Sequence, residues 1–295
     1  MNDWYQRMVA VLQLNGKGEP TQKAYTRAVR MLSQFYDKTP DLVSEPELQE
    51  YFLHRKNVNR WSPKTMRICY CGIRFFYVNV LARDWHILSI LRAQTEHRLP
   101  TVLSVEEVRG ILTHVKTLHN HAYLSTVYSC GLRLDEGRHL EVSDIDSKRM
   151  MIHVHRGKGA KDRYVPLPQS TLQLLRQYWL THHHPRFVFP ALGRKRTDVK
   201  AALGPMAKSS VQGAFRQAKR AAGVLKKGVA IHTLRHSYAT HLLEAGVNPR
   251  VIQRYMGHAR LETTMLYLHL TQKGQEDACQ LINHVMEGLD HDLHS

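Results

Sequence analysis

The stretch "AIHTLRHSYATHLLEAGVNPRVIQRYMGH", Ala230–His258, indicates two consecutive helices that carry several histidines and arginines. His232 and Arg235 lie three positions apart at the start of the first helix, so they share one face. Gly246 is typical of the residue that follows a helix end. His258 comes directly after the glycine that ends the second helix. The stretch therefore predicts cationic side chains that converge on a site, and the rest of the chain indicates what that site binds.

The whole chain is strongly basic. Its 295 residues include 42 Lys and Arg against 25 Asp and Glu, a net charge of +17. The excess is +6 over residues 1–100 and +11 over residues 101–295. A positive field over both halves favours a polyanion, with nucleic acid first and an anionic membrane surface second. No apolar run approaches the roughly 20 residues of a membrane span, and the N-terminal residues show no signal-peptide pattern. We expect a cytoplasmic protein that does not bind membranes.

The first third of the chain has the pattern of four short helices. Helix-start signals occur at Thr21, at Ser44 with Glu47 three positions later, and at Ser62. We predict a helical domain at residues 1–91. The segment 92–103 lacks an apolar stripe and is interpreted as a linker, and a second domain is expected at 104–295.

The second domain is predicted to be mainly helical with one small β element. The segment "MMIHVHRGKGAKDRYVPLP", Met150–Pro168, alternates apolar and polar residues on both sides of a glycine-containing turn. This pattern predicts a β-hairpin with Lys158 at its tip. The four cysteines do not form a disulfide framework, and the triplet His182–His184 is interpreted as a solvated loop. We therefore predict neither a metal site nor a cofactor.

Six side chains are of the types that phosphoryl transfer to a tyrosine requires. They are Arg133, Lys158, His232, Arg235, His258 and Tyr267. Arginine binds phosphate oxygens in a two-pronged manner. Tyrosine can form a covalent intermediate, and lysine and histidine can move protons. The set predicts phosphoryl transfer to a tyrosine without a metal ion.

The sequence resembles the tyrosine site-specific recombinases of the phage-integrase family, in a compact Xer-like layout. Five motifs stand in the family's order: "GLR" with Glu136, "GKGAKDRYVPL", "HTLRHSYATHLLEAG", "MGH" and "TTMLYLH". The resemblance covers essentially the whole chain. It implies a fold of the mainly α class, with an N-terminal four-helix SAM-like core-binding domain followed by an α-rich catalytic domain with a small sheet. It also implies a metal- and ATP-independent enzyme that cuts and rejoins DNA through a 3′-phosphotyrosyl intermediate.

The resemblance also implies a role for each site residue. Tyr267 would attack the scissile phosphate, while Arg133 and Arg235 would hold its non-bridging oxygens. His258 would donate a hydrogen bond to the same phosphate. Lys158 would protonate the departing 5′-oxygen.

Two further residues would assist these groups. His232 would help to deprotonate the tyrosine, and Glu136 would orient the first arginine. Further residues are predicted to contact DNA: Arg27, Lys64, Arg67, Lys161 and Arg163.

The expected partner is double-stranded DNA, bound by a homotetramer across two sites whose strands are exchanged through a Holliday junction. An accessory protein or a second recombinase is a further possible partner. The segment after Tyr267 is predicted to form a helix that docks on a neighbouring subunit, with folding back in cis as the alternative. Two rival functions stay open at this point, a type IB topoisomerase and a DNA-binding regulator without enzymatic activity.

Overall fold

The structure is a computed structural model, in which two compact units comprise residues 1–98 and residues 99–295. It describes residues 3–83, 85–90, 99–155, 162–193 and 199–268. The described part is mostly helical with one small antiparallel sheet, so the predicted fold class is confirmed. The predicted linker at 92–103 falls largely outside the described residues, and the domain boundaries stay a prediction. Among the described residues, no helix combines the length and apolar character needed to cross a membrane.

The described residues of the first unit form five α-helices. They are α1 (Asp3–Leu14), α2 (Glu19–Tyr36), α3 (Glu45–Asn57), α4 (Pro63–Phe75), which continues as a π-helix (Phe76–Val80), and the short α5 (Ile87–Ile90). Helices α2 and α4 approach closely at Gly72, where an added Cβ would lie 2.9 Å from the Cα of Tyr25. The apolar core includes Met8, Leu32 and Phe76, each fully buried. A side chain at position 72 would force the two central helices apart.

Local signals predicted the helix starts in this unit well, with one exception. The backbone N–H of Ser44 donates to Glu47 at 2.8 Å, as the capping box requires. The hydroxyl of Ser62 accepts from the N–H of Thr65 at 3.3 Å. The predicted cap at Thr21 is wrong, because α2 begins two residues earlier, at Glu19. Proline is compatible with a first helical turn, so the Pro20 between them does not delay the start.

The second unit carries the remaining elements. Its helices are α6 (Val105–Thr113), α7 (Leu118–Ser129), α8 (Leu134–Arg138), α9 (Gln169–Trp179), α10 (Lys208–Ala221), α11 (Ile231–Glu244), α12 (Pro249–Met256) and α13 (Glu262–Met265). Its strands are β1 (Ile145–Asp146), β2 (Met151–Val154) and β3 (Arg163–Pro166). Helix α7 lies in the core, with Tyr123 and Val127 fully buried. The α7–α8 corner and helices α11 to α13 together hold the candidate site.

The predicted β-hairpin is present, and a third strand extends it. Strands β2 and β3 pair antiparallel, with Val154 opposite Arg163. The two-residue strand β1 pairs with β2 through Ile145 and Ile152, and it is too short to give a sequence pattern. The hairpin tip, with Lys158 and Lys161, lies outside the described residues.

The two helices of the opening stretch form as predicted. Gly246 follows α11 with φ of +83°, a conformation that suits glycine. The side chain of Asn248 then caps α12, accepting from the N–H of Arg250 at 2.8 Å. Gly257 ends α12 with φ of +58°, which turns the chain so that His258 faces back toward α8 and α11.

Candidate active site

Arg235 is the most deeply buried cation of the described residues. It lies on the first turns of α11 and is 1% exposed. One terminal nitrogen donates to the carbonyl oxygen of Gly131, and the other donates to that of Met256. Burial, followed by the nearby charge of Arg133, lowers the pKa of Arg235. Main-chain carbonyls therefore hold this guanidinium in one position.

Arg133 stands at the N-terminus of α8, beside Arg235. Its backbone N–H donates to Glu136 at 2.8 Å, and its guanidinium donates to the same carboxylate at 2.6 Å. Its other terminal nitrogen donates to the carbonyl oxygen of Gly257 at 3.1 Å. The side chain is 23% exposed, so a ligand in the adjoining cleft can reach it.

Glu136 is the negative centre of this cluster. Arg163 donates to both carboxylate oxygens, at 3.0 and 2.7 Å. Arg235 lies 3.7 Å from one of those oxygens. Burial alone would raise the pKa of Glu136, but the hydrogen bonds and charge of Arg163 and Arg133 lower it to about 2. Glu136 is thus ionised at neutral pH and fixes three arginines at once.

The position of Arg163 corrects one sequence prediction. Its side chain is 7% exposed, and its guanidinium also donates to the carbonyl oxygen of Tyr255 at 2.7 Å. A side chain engaged in this way is not at a surface that DNA can contact. Arg163 is a structural partner of Glu136, and alternation along the hairpin could not distinguish it from an exposed cation.

Tyr267 meets a histidine that the sequence analysis did not select. The tyrosine hydroxyl lies 2.7 Å from Nδ1 of His236, which is on α11 directly after Arg235. Burial, then His232 and Arg235, lower the pKa of His236 to about 4, so the ring is neutral at pH 7. Burial raises the pKa of Tyr267, and the charges of Arg235 and Arg133 counteract this rise. The neutral imidazole is placed to accept the phenol proton.

His232 lies one helical turn before His236. Their ring centroids are 4.5 Å apart in an edge-to-face arrangement. Burial and the charges of Arg235 and Arg133 lower the pKa of His232. Its ring lines the same cleft as Arg133. The structure therefore places His232 against the histidine that meets the tyrosine, rather than against the tyrosine hydroxyl.

His258 completes the group beside Tyr267. The two ring centroids are 6.2 Å apart, and the ring planes differ by 23°. Nδ1 of His258 lies 2.9 Å from the hydroxyl of Thr264 on α13. Burial, then Arg235 and Arg133, lower the pKa of His258 to about 3. A neutral imidazole carries one N–H. When Nδ1 accepts from the Thr264 hydroxyl, Nε2 keeps that proton and can donate it beside two fixed positive charges.

The structure thus brings together Arg133, Glu136, His232, Arg235, His258 and Tyr267. It adds His236 and Arg163 to them. The signal that could have identified His236 is its spacing: it is four residues after His232 on one helix, and it adjoins Arg235. Arg27, Lys64 and Arg67 lie in the first unit and are exposed. Chemically, the site can hold an anion between two guanidiniums and remove a proton from a phenol.

Comparison with known proteins places the chain among the DNA strand-transferring recombinases. Residues 101–273 match the model of the phage integrase family, and residues 4–87 match that of the phage integrase N-terminal SAM-like domain. The chain belongs to the phage integrase family, the tyrosine site-specific recombinases. The family assignment made from the five sequence motifs is confirmed.

Three similar proteins illustrate the breadth of the match. A putative integrase/recombinase y4qK of Sinorhizobium fredii (strain NBRC 101917 / NGR234) is 36% identical over 90% of this chain and 83% of the relative. The tyrosine recombinase XerA of Thermococcus kodakarensis is 30% identical over 97% of this chain and 98% of its own. A lambda integrase tetramer bound to a Holliday junction is 15% identical, with a TM-score of 0.71 over 90% of this chain and 76% of that one. The last likeness is one of fold.

Proposed function

We propose that this chain recombines duplex DNA at specific sites through a 3′-phosphotyrosyl bond to Tyr267. The contact between the Tyr267 hydroxyl and Nδ1 of His236, at 2.7 Å, carries the proposal. It joins a nucleophile to a neutral proton acceptor beside two arginines. General bases must lie within hydrogen-bond reach of the proton that they remove, and this pair meets that requirement.

In the proposed reaction, the Tyr267 oxygen forms a bond to phosphorus while the bond from phosphorus to the 5′-oxygen breaks. The phenol proton passes to Nδ1 of His236. Arg133 and Arg235 bind the non-bridging oxygens and stabilise the charge that develops in the transition state. His258 donates a further hydrogen bond to the phosphate, and Lys158 protonates the leaving 5′-oxygen.

Two other residues position these groups. Glu136 keeps Arg133 and Arg235 in place, because its carboxylate contacts both guanidiniums. His232 packs on His236 and sets the orientation of its ring. Tyr267 is 2% exposed, so the nucleophile has to be uncovered before it reaches a phosphate. The 5′-hydroxyl of a partner strand then attacks the tyrosyl bond and completes the exchange.

We further propose that the active assembly is a homotetramer on two DNA sites, which exchanges strands through a Holliday junction in the cytoplasm. The lambda integrase structure, a tetramer on such a junction, supports this assembly. The predicted helix after Tyr267 lies outside the described residues, and we propose that it docks on a neighbouring subunit. Truncation after Thr271 should then impair tetramer formation on DNA more than DNA binding. Equal loss of both would contradict docking in trans.

The first test is covalent trapping. The full chain is incubated with nicked duplexes made from DNA flanking its own gene, and a protein–DNA adduct is sought on a denaturing gel. Tyr267→Phe removes the nucleophile, while Tyr255→Phe removes a hydroxyl that the mechanism does not use. We expect an adduct for the wild type and for Tyr255→Phe, and none for Tyr267→Phe.

The other outcomes separate the rival functions. Tight binding to the same DNA without an adduct would favour a binding-only regulator. An adduct accompanied by relaxation of supercoiled DNA without paired sites would favour a type IB topoisomerase. Sequencing the DNA in the adduct would identify the target site.

A further inference from the structure

We propose that Asp144, His153 and His155 bind a divalent transition-metal ion at the base of the β2–β3 hairpin, with Asp162 beside them as an outer neighbour. The potential ligand atoms of Asp144, His153 and His155 all lie within 4.8 Å of one another. Among the described residues, no other group of three or more such side chains has this spacing. The proposed reaction at Tyr267 does not use these side chains. The site would be additional to the catalytic one.

The sheet brings the four residues together by its register. His153 and His155 are two apart along the β2 direction, so they project from the same face. Because Ile145 pairs with Ile152, Asp144 comes next to His153 across the β1–β2 pair. Because Val154 pairs with Arg163, Asp162 comes opposite His155 across the β2–β3 pair.

The distances already resemble those of a metal centre. The ligand atoms of Asp144, His153 and His155 all lie within 4.8 Å of one another. Asp162 Oδ2 lies 3.6 Å from His155 Nδ1, the ring nitrogen opposite the one that faces Asp144, so it is placed to orient the ring rather than to bind the same ion. Ligands at roughly 2.0–2.1 Å from a tetrahedral zinc ion lie about 3.3 Å from one another. His155 Nε2 and Asp144 Oδ1, now 2.7 Å apart, would have to separate slightly. Small side-chain rotations suffice to admit the ion.

The charge and the surroundings of the group suit a cation. Two carboxylates with two neutral imidazoles carry a formal charge of −2, which a divalent ion balances. Mixed nitrogen and oxygen ligands favour zinc, nickel or copper over magnesium or calcium. Asp144 is 5% exposed, and its other oxygen accepts the N–H of Glu141 at 2.8 Å. This bond orients the carboxylate, as outer contacts do in known metal sites.

An ion can also reach the site from solvent. Asp144, His153 and His155 line an open cleft of about 790 Å³, which extends to Arg133 and His232. The His153 and His155 side chains are 26% and 52% exposed. The cleft connects the proposed metal site with the solvent side of the catalytic group.

A metal ion here would act on the hairpin tip. His155 and Asp162 directly flank the segment 156–161, which contains Lys158. An ion bound to His155, whose other ring nitrogen faces Asp162, would restrain both ends of that segment. This consequence, unlike the binding itself, rests on the proposed function, in which Lys158 protonates the leaving oxygen. We expect metal to change the rate of DNA cleavage more than the affinity for DNA.

Metal binding is tested on the full chain after treatment with a chelator. Zn²⁺ is titrated by calorimetry, and Co²⁺ by its visible absorption, which reports tetrahedral coordination. His155→Gln and His153→Gln each remove a proposed ligand. His183→Gln is the matched control, because His183 is exposed and lies in the histidine triplet away from the hairpin. We expect one tight equivalent in the wild type and the control, and affinity lowered by about tenfold or more in each ligand variant.

Two results would overturn the proposal. One is the absence of Zn²⁺ binding at micromolar concentrations. The other is unchanged affinity in both ligand variants, which would place the ion elsewhere on the chain or leave the three histidine–aspartate contacts as the role of the group. Because binding is measured without DNA, its failure is distinguishable from failure of the covalent trapping experiment. His155 is half exposed, so its substitution preserves the fold.

Discussion

Glu136 and Arg163 form a buried, two-pronged ion pair that joins the N-terminus of helix α8 to the first residue of strand β3. Both side chains are less than 9% exposed. The pair is 27 positions apart in sequence, and it connects the helix that carries Arg133 with the hairpin that carries Lys158. It therefore ties together the two elements on which the proposed phosphate contacts depend.

Breaking the ion pair of Glu136 and Arg163 should destabilise the fold. Arg163→Met removes two hydrogen bonds from the buried Glu136 carboxylate, and we expect the free energy of unfolding to fall by about 3–5 kcal/mol. Urea denaturation measures the change. The exposed pair of Arg149 and Asp146, with nitrogen and oxygen 3.9 Å apart, provides the control. Arg149→Ala should change stability by less than about 1 kcal/mol, and equal losses in both variants would contradict the structural role of Arg163.

Loss of His236 should slow DNA cleavage and leave the affinity for DNA unchanged. His236→Asn removes the proton acceptor of Tyr267, and the loss of a general base lowers rates by about 10²–10⁴-fold. Single-turnover cleavage of a nicked duplex measures this change, and an electrophoretic shift measures affinity. His232→Asn should have the smaller effect, because the ring of His232 contacts His236 rather than the hydroxyl. The reverse order of effects would return the role of base to His232.

The same histidine should make the fold sensitive to acid. In the unfolded chain a histidine binds a proton below pH 6.5, whereas the folded chain keeps His236 neutral down to about pH 4. The unfolded state therefore binds more protons over this interval, and stability falls as the pH is lowered from 6.5 to 4. At ~1.4 kcal/mol per pH unit, the contribution reaches up to about 3 kcal/mol. Thermal denaturation of His236→Gln should show a shallower decline over this window, and an identical decline would contradict the assignment.

Gly131 should not tolerate a side chain. It has φ of +60°, and an added Cβ would lie 2.5 Å from the ring of Tyr238. Gly131→Ala would displace the carbonyl that holds Arg235, so we expect a loss of about 1–3 kcal/mol of stability and a lower cleavage rate. Gly213 on α10 is the matched control, because an added Cβ there meets nothing within 4 Å. Gly213→Ala should stabilise the chain by about 0.5–1 kcal/mol.

Arg67 and Lys64 test the proposed DNA contacts of the first unit. Both are exposed on α4. If each neutralises one phosphate, alanine substitution should reduce the slope of log affinity against log salt by about 0.9 and weaken binding to all sequences alike. Lys116, exposed in the second unit and not assigned to DNA, provides the comparison. An unchanged slope would remove the residue concerned from the interface.

The sequence was sufficient where the physical signals are local. The capping box at Ser44 and Glu47 is present as predicted, since its two partners are three residues apart. The hairpin and the end of α12 at Gly257 likewise follow from neighbouring residues. Five motifs in one order were enough to identify the family.

The rest depends on contacts between distant residues. The burial of Arg163 is set by Glu136 and by a carbonyl 92 positions away, and neither leaves a pattern within the hairpin. His236 was overlooked because its partner, Tyr267, lies 31 positions further along the chain. His153 and His155, at the end of β2, have no sequence signal for a metal site, because Asp144 comes beside them only through the register of the sheet.

Besides Glu136, peptide oxygens hold the two arginines of the site: those of Gly131 and Met256 hold Arg235, and that of Gly257 holds Arg133. A peptide oxygen is present whatever the side chain, so the contact to Arg235 does not itself depend on the identity of Met256, whose side chain is constrained instead by its burial. Gly131 and Gly257 are constrained more strongly, because an added Cβ at either position would lie too close to a neighbouring side chain. In distant relatives, small residues at the turns before α8 and after α12 should therefore mark an intact site as reliably as the arginines do.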